Sequence, residues 1–276
     1  MRNIKILIIG KKSFIGSNLY NYLKKKKIKT ELINYIRFLR KNFNQNNYDY
    51  IINCSSNKKF VNKKYSSRFD HDLNIAKKIV KFNSKLIFLS TRKIYRPKFN
   101  IKEGDLKKPL CHYSKNKLIS EKSTKKLLNN RVLILRVSNI IGLSKKHKNK
   151  LHQTFIDQFV KYIKKGYLFE NNKIYKDFIS INKFCEIIFK IIKQNIVGTY
   201  NLSLGKKVYL NKLVQWLNIY NNKKITKLNI KKGFNNDSFT LNNQKLMKKL
   251  KIKNSLAELK KDCITISRKL FIINEK

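Results

Sequence analysis

Tyr113 and Lys117 stand four residues apart in the segment Tyr113-Ser-Lys-Asn-Lys117. On a helix, positions i and i+4 share a face. A cation held there favours the phenolate, which would lower the phenol pKa and make Tyr113 an acid/base near neutral pH. In a chain so rich in Tyr and Lys, a solvated helix face gives the same spacing by chance. A second hydroxyl narrows the choice. Leu89-Ser90-Thr91 ends an apolar run, where a hydroxyl would project into the crevice at the carboxyl ends of parallel strands. A hydroxyl and a phenol meeting at one carbonyl oxygen make a proton-donating pair suited to hydride chemistry.

A third group of residues lies near the start. Gly10-Lys-Lys-Ser-Phe-Ile-Gly16 follows the β-rich run Ile4–Ile9 and opens helical spacing through Leu19, Tyr20 and Leu23. The N-terminus of a helix offers free backbone N–H groups and the positive end of its dipole, so a pyrophosphate can rest there. An ordinary glycine turn would look the same, and the middle position is Ser13 rather than glycine.

The elements needed to position these groups follow in order. Strands are expected at Ile4–Ile9, Thr30–Ile33, Tyr50–Cys54, Leu86–Leu89 and Val132–Leu135, with helices after the glycine turn, over Leu73–Phe82 and over Tyr113–Leu128. Apolar runs alternating with helical patterns imply a parallel sheet covered by helices on both faces. Beyond Gly142 the rhythm changes. A Lys/Asn/His-rich loop at Ser144–Lys150 leads to a helix over Phe155–Lys165, a short strand from Asp177 to Ile179 and a helix through Ile192. Strands at Thr199–Leu202 and Lys224–Ile230 then mix with helices at Leu210–Trp216 and Ala257–Leu270.

Composition limits the function classes. The 276 residues hold 65 Lys+Arg against 15 Asp+Glu, a formal charge of +50, which raises the question of a nucleic-acid partner. The basic residues are spread along the chain, and 56 are Lys against 9 Arg, the better phosphate fork. With 35 Asn and only 2 Ala, the excess follows A/T-rich codons, so no specific nucleic-acid partner is expected. The run Ile6–Ile9 is too short for a membrane span or a signal-peptide core. Four scattered cysteines form neither a disulfide scaffold nor a metal motif, which fits a cytoplasmic protein without a metal.

Taken together, these motifs resemble the extended short-chain dehydrogenase/reductases, also called the NAD-dependent epimerase/dehydratase family. Gly10…Gly16 resembles its glycine turn, and Asp49-Tyr-Ile-Ile-Asn-Cys54-Ser55-Ser56 the strand beside its cofactor. Ser90-Thr91-Arg-Lys-Ile-Tyr95 and Tyr113…Lys117 are similar to its catalytic segments. Leu135-Arg-Val-Ser-Asn139-Ile-Ile-Gly142, Lys176-Asp-Phe-Ile179 and Gly198-Thr-Tyr-Asn-Leu-Ser203 follow in the family's order.

The resemblance implies an α/β chain: a Rossmann-type, doubly wound parallel sheet with a small C-terminal α/β substrate-binding domain. The dinucleotide-binding domain is expected at 1–142 with about 177–193, and the substrate domain at 143–176 and 194–276. It implies that Tyr113 is the acid/base, that Lys117 binds the ribose and tunes the tyrosine, and that Thr91 bonds the reacting oxygen. Gly10, Ser13, Phe14, Ile15 and Gly16 would hold the pyrophosphate, with Cys54, Ser55 and Ser56 beside the dinucleotide. Asn139 would contact the sugar nucleotide, and Lys176 would replace an arginine near its diphosphate, a point charge in place of a fork.

Departures from the pattern refine the expectation. Asn34 stands where NAD-preferring members carry an acid for the ribose 2′-OH, and Arg37 follows, so NADP(H) is favoured and NAD(H) remains open. The stretch from Arg37 to Tyr48 is short, so the family's third strand is expected to be truncated, as in the dTDP-4-dehydrorhamnose reductases. Sugar 4,6-dehydratases carry Asp-Glu directly after the catalytic Thr, whereas Arg92-Lys93 follow here. Lys93 occupies the place of the cysteine used by the epimerase-reductase that makes GDP-fucose, and His152 is read as a loop or helix-start residue rather than a base. Cys111 and His112 are neighbours of the site with no defined role.

The expected activity is reduction of a 4-keto nucleotide-diphosphate sugar in surface polysaccharide biosynthesis. The alternatives are 4-epimerisation through a transient ketone, and a dinucleotide-binding regulator without turnover. The resemblance also admits a homodimer paired through the helix that carries Tyr113.

Overall fold

The computed structural model describes residues 4–40, 44, 48–143, 154–170, 173–222, 226–229 and 237–272. The chain divides into two compact units. One comprises Met1–Arg96, Asp105–Val137 and Cys185–Tyr200; the other comprises Pro97–Gly104, Ser138–Phe184 and Asn201–Lys276.

The first unit is built on β1 (Lys5–Ile9), α1 (Phe14–Lys25), β2 (Lys29–Ile33), α2 (Tyr35–Leu39), β3 (Tyr50–Asn53), α3 (Lys58–Asn62), α4 (His71–Ile79), β4 (Lys85–Thr91), α5 (His112–Leu128) and β5 (Val132–Val137). Strands β2, β1, β3, β4 and β5 lie side by side in that order, all parallel, and a later strand extends the sheet beyond β5. Ile6–Ile9, Tyr50–Ile52 and Leu86–Phe88 are buried on both faces, which is why they read as unbroken apolar runs rather than alternating ones. A core of Leu7, Ile9, Ile33, Ile51, Ile75, Ile79, Phe88 and Ile134 joins the sheet to α4. Among the described residues between β2 and β3 there is the short α2 and no strand; most of the stretch expected to hold the truncated third strand, residues 41–43 and 45–47, lies outside the described residues.

The second part of the chain adds β6 (Asn139–Ile141), α6 (Phe155–Lys164), β7 (Tyr167–Glu170), β8 (Tyr175–Lys176), β9 (Phe178–Ser180), α7 (Ile181–Lys193), β10 (Gly198–Leu202), β11 (Val208–Tyr209), α8 (Leu210–Asn218), β12 (Thr226–Asn229), α9 (Gln244–Leu250) and α10 (Leu256–Phe271). Strand β10 is the one that completes the six-stranded sheet. The remaining strands pair two by two: β6 with β9, β7 with β12 and β8 with β11. Leu213, Val214 and Leu217 of α8 pack with Leu259, Cys263 and Ile266 of α10 in one apolar cluster. The expected strand at Asp177–Ile179 begins one residue later. Asp177 instead turns its carboxylate to the backbone N–H groups of Leu204, Gly205 and Leu241 at 3.1, 3.1 and 2.9 Å. Among the described residues no helix is long and apolar enough to cross a membrane.

Candidate active site

The glycine turn sits at the carboxyl end of β1. Gly10 adopts φ +129°, and a Cβ there would lie 2.8 Å from the carbonyl carbon of Cys54, so only glycine fits. A Cβ on Gly16 would stand 2.7 Å from both the Gly10 carbonyl oxygen and Ser13 Oγ. Ser13 caps α1: its Oγ accepts the Gly16 N–H at 2.8 Å, while its own N–H donates to the Gly10 carbonyl at 2.8 Å. The N–H groups of Phe14 and Ile15 in the first turn then have no acceptor within the helix. They are donors for an anion, so the turn has the closeness and chemistry a dinucleotide pyrophosphate needs.

Beside this turn, Asn34 caps α2, its Oδ1 accepting the Arg37 N–H at 2.7 Å. Arg37 pairs with Glu31 at 3.2 Å on the surface. At the end of β3, the backbone of Cys54 closes on Gly10. Ser55 Oγ donates to Asn53 Oδ1 at 2.7 Å and lies 2.9 Å from His71 Nδ1; Ser56 follows, half-buried. His71 stacks flat on Tyr35, with ring centroids 3.5 Å apart. Burial, reinforced by the Lys117 charge, pushes the His71 pKa down to about 4, so its ring is neutral.

Thr91 and Tyr113 come from the end of β4 and the start of α5. Thr91 is the last residue of β4 and caps a single 3-10 turn, its Oγ1 accepting the Lys93 N–H at 3.2 Å. Tyr113 lies in the first turn of α5, near enough to Thr91 for that side chain to act on its phenol. The expected lowering of the phenol pKa does not survive folding. Burial raises it; Lys117 and Thr91 pull it down, but Asp72 and Cys111 push it up, and the net shift is upward. Cys111 and His112 are exposed at the helix start, with the Ser114 hydroxyl donating to the Cys111 carbonyl at 3.0 Å. His152 lies outside the described residues.

Lys117 is one turn along from Tyr113 and buried. Its Nζ donates to Asp72 Oδ2 at 2.7 Å and to the Leu89 carbonyl at 3.0 Å, and it lies 4.5 Å from the centroid of the Phe88 ring. Asp72 Oδ1 accepts Asn53 Nδ2 at 2.8 Å. Burial opposes the Lys117 charge, but the carboxylate of Asp72 and the phenol of Tyr113 hold its pKa above the ordinary lysine value. The motifs did not single out Asp72 or Asn53. The available signal was that Asp72, Ile75, Ala76 and Ile79 recur at helical spacing, which puts an acid on the buried stripe of α4.

Asn139 and Lys176 belong to the second unit. Asn139 Nδ2 donates to the Asp177 carbonyl at 3.3 Å, and Lys176 pairs with Asp237 at 3.1 Å, both partly exposed. Among the described residues no three His, Cys, Asp or Glu side chains are grouped to hold a metal ion.

A sequence model of the NAD dependent epimerase/dehydratase family matches residues 6–203. No curated protein matches the chain by sequence. Solved structures do match it over nearly the whole length. A UDP-N-acetylglucosamine 4-epimerase from Methanobrevibacter ruminantium, in complex with UDP-N-acetylmuramic acid, is 17% identical with a TM-score of 0.77, covering 100% of each chain. A dTDP-4-dehydrorhamnose reductase from Clostridium acetobutylicum is 17% identical with a TM-score of 0.73, covering 99% of each. A dTDP-glucose 4,6-dehydratase from Bacillus anthracis, in complex with NAD, is 16% identical with a TM-score of 0.72, covering 96% of each.

Proposed function

Because the chain belongs to the NAD-dependent epimerase/dehydratase family, we propose that it reduces the 4-keto group of a nucleotide-diphosphate sugar with a nicotinamide dinucleotide. A bound nicotinamide supplies the hydride. Tyr113 donates the proton to the carbonyl oxygen, and Thr91 holds that oxygen by a second hydrogen bond. The observation that carries this reading is the approach of the Thr91 side chain to the Tyr113 phenol, with the Lys117 ammonium on the next turn of the same helix. Gly10, Ser13, Phe14, Ile15 and Gly16 hold the pyrophosphate at the start of α1, and Cys54, Ser55 and Ser56 line its side. Asn139 and Lys176 contact the sugar nucleotide; a diphosphate must share Lys176 with Asp237.

Two residues argue against elimination of water. Directly after Thr91 come Arg92, which is buried, and Lys93, which is exposed; neither is an acid. Epimerisation at C4 through a transient ketone would use Thr91, Tyr113 and Lys117 in the same way, and product analysis separates it. NADPH is the favoured donor. Asn34 presents no carboxylate to a 2′-phosphate, and an exposed pair such as Arg37–Glu31 is worth only about 0–1 kcal/mol, so a phosphate can draw Arg37 away. The setting proposed is cytoplasmic, where the four free cysteines stay reduced. A homodimer paired through α5 fits the exposure of Ile119 and Leu127 on that helix.

The test is a panel of UDP-, dTDP-, GDP- and CDP-linked 4-keto and 4-hydroxy sugars, followed by NAD(P)H absorbance and by NMR of the sugar. Cofactor consumption with a 4-hydroxy product is expected. Tyr113→Phe should cut turnover by about 10²–10⁴-fold with the fold intact; full turnover would overturn the assignment. A C4-inverted product with no net cofactor consumption would establish the epimerase instead.

A further inference from the structure

Lys117 and Asp72 form a buried pair whose side chains are only 7% and 4% exposed. Burying two charges costs several kcal/mol per ion before their attraction is counted, and an apolar pair of the same volume often serves stability as well. Burial alone therefore does not explain the pair. Its position is more informative. The same helix turn that buries Lys117 presents Tyr113, and the ammonium is tied on one side to Asp72 and on another to the Leu89 carbonyl at the end of β4, two residues before Thr91. Asp72 is in turn fixed by Asn53 at the end of β3.

We propose that Asp72 is a positioning residue of the proton-transfer site: it anchors the Lys117 ammonium and neutralises part of its pull on the Tyr113 phenol. The inference rests on the reading of Tyr113 as the proton donor. In a reductase the phenol must be protonated before each turnover, and an uncompensated lysine one turn away would strip that proton as the pH rises. A carboxylate bonded to that lysine restrains the loss, which agrees with the upward direction of the Tyr113 shift.

The other charged and titratable groups around the pair do not replace Asp72. Asp70, just before α4, also acts on Lys117, but its carboxylate is engaged by the Leu73 N–H, Ser120 Oγ and Tyr65 Oη at 3.1, 2.9 and 3.0 Å. Burial holds His71 neutral and keeps the Cys54 thiol protonated. Burial raises the Cys111 thiol, but bonds from Ser114 and the nearby Lys93 outweigh it, and its effect on Tyr113 ranks below that of Asp72.

The experiment is a pH titration of the full-length chain saturated with NADP⁺ and labelled with ¹³Cζ-tyrosine, with the Tyr113 resonance assigned by its absence in Tyr113→Phe. Asp72→Asn should increase the ionisation constant of that phenol about tenfold or more, and Lys117→Gln should decrease it. The double variant should return to near the wild-type midpoint, because the two effects offset. An unmoved midpoint in Asp72→Asn, or a double variant that titrates like Lys117→Gln alone, would overturn the proposal. If Asp72→Asn fails to fold, the double variant decides alone, since it leaves no lone buried charge. The titration needs no turnover, so failure of the sugar-nucleotide panel would sink the functional reading without touching this one.

Discussion

Helix α5 carries two buried ion pairs one turn apart, and they are built differently. At Glu121 the carboxylate accepts Nη2 of Arg136 at 2.8 Å and Nε at 3.2 and 3.3 Å. Ser90 Oγ donates to the same carboxylate, and Arg136 Nη1 donates to Tyr95 Oη at 2.6 Å. That pair is saturated by its neighbours. At Lys117 the ammonium has Asp72, one carbonyl and the rings of Phe88 and Phe60, and its field still reaches His71 and Tyr113. The first pair closes a core; the second leaves charge that acts on its surroundings. What separates structural from functional burial here is how completely each charge is answered, since both pairs are equally removed from water.

The largest expected effect tests the saturated pair. Glu121→Gln leaves the guanidinium of Arg136 buried without a counter-charge, and arginine cannot shed its proton. Denaturant melts should show a loss of about 3–5 kcal/mol. Lys117→Met should cost less, because the stranded Asp72 can take up a proton, and burial already raises its pKa. The sign follows: an acid whose folded pKa lies above its unfolded value is stabilising at low pH and loses that contribution as the pH rises. The Lys117→Met penalty should therefore grow with pH, whereas that of Glu121→Gln stays flat across the neutral range.

A smaller effect reports the charge left over at Lys117. His71 has a folded pKa of about 4 against 6.5 when exposed, so the unfolded chain binds the proton more readily. Stability contributed by His71 is full above the unfolded value and is lost as the pH falls from about 6.5 to about 4. His71→Phe, which keeps a ring against Tyr35, should remove that slope in urea melts at pH 7 and pH 4.5. The smallest effect concerns a third pair, Arg37–Glu31, whose side chains are 58% and 39% exposed. Arg37→Ala should change stability by less than about 1 kcal/mol. The same variant should weaken NADPH binding about tenfold relative to NADH, measured by fluorescence.

The sheet was readable because parallel strands buried on both faces leave continuous apolar runs, and Ile6–Ile9 and Leu86–Leu89 carry that mark. Helix α5 carries a different one. Its buried residues include Ser114, Asn116, Lys117, Ser120, Glu121 and Thr124, so no apolar stripe announces it, and the Tyr113/Lys117 spacing located it instead. The ladders of the second unit, from the two residues of β8 and β11 to the four of β7 and β12, are too short for a clear periodicity, and the sequence shows only β9 and β12 among them. In the site, Thr91 and Tyr113 were legible as types that share a chemistry. Asp72 is less legible: the helical spacing with Ile75, Ala76 and Ile79 marks it as buried, but its partner lies 45 residues away and no motif links the two. The upward shift of Tyr113 is hidden from the sequence for the same reason: spacing reveals the lysine but neither the burial nor the carboxylate of Asp72.

The two pairs on α5 also set an order of assembly. Glu121 and Arg136 are separated by 15 residues and Lys117 and Asp72 by 45, so closing the longer loop costs about 1 kcal/mol more chain entropy. We expect the α5–β5 segment to close first and α4 to dock onto it afterwards, completing the proton-transfer site only in the later step. Stopped-flow folding of conservative variants would show it: substitutions at Arg136 should slow folding, while those at Asp72 should mainly speed unfolding. A full-length chain refolding from denaturant would then hold a formed α5–β5 pair before it holds a competent Tyr113.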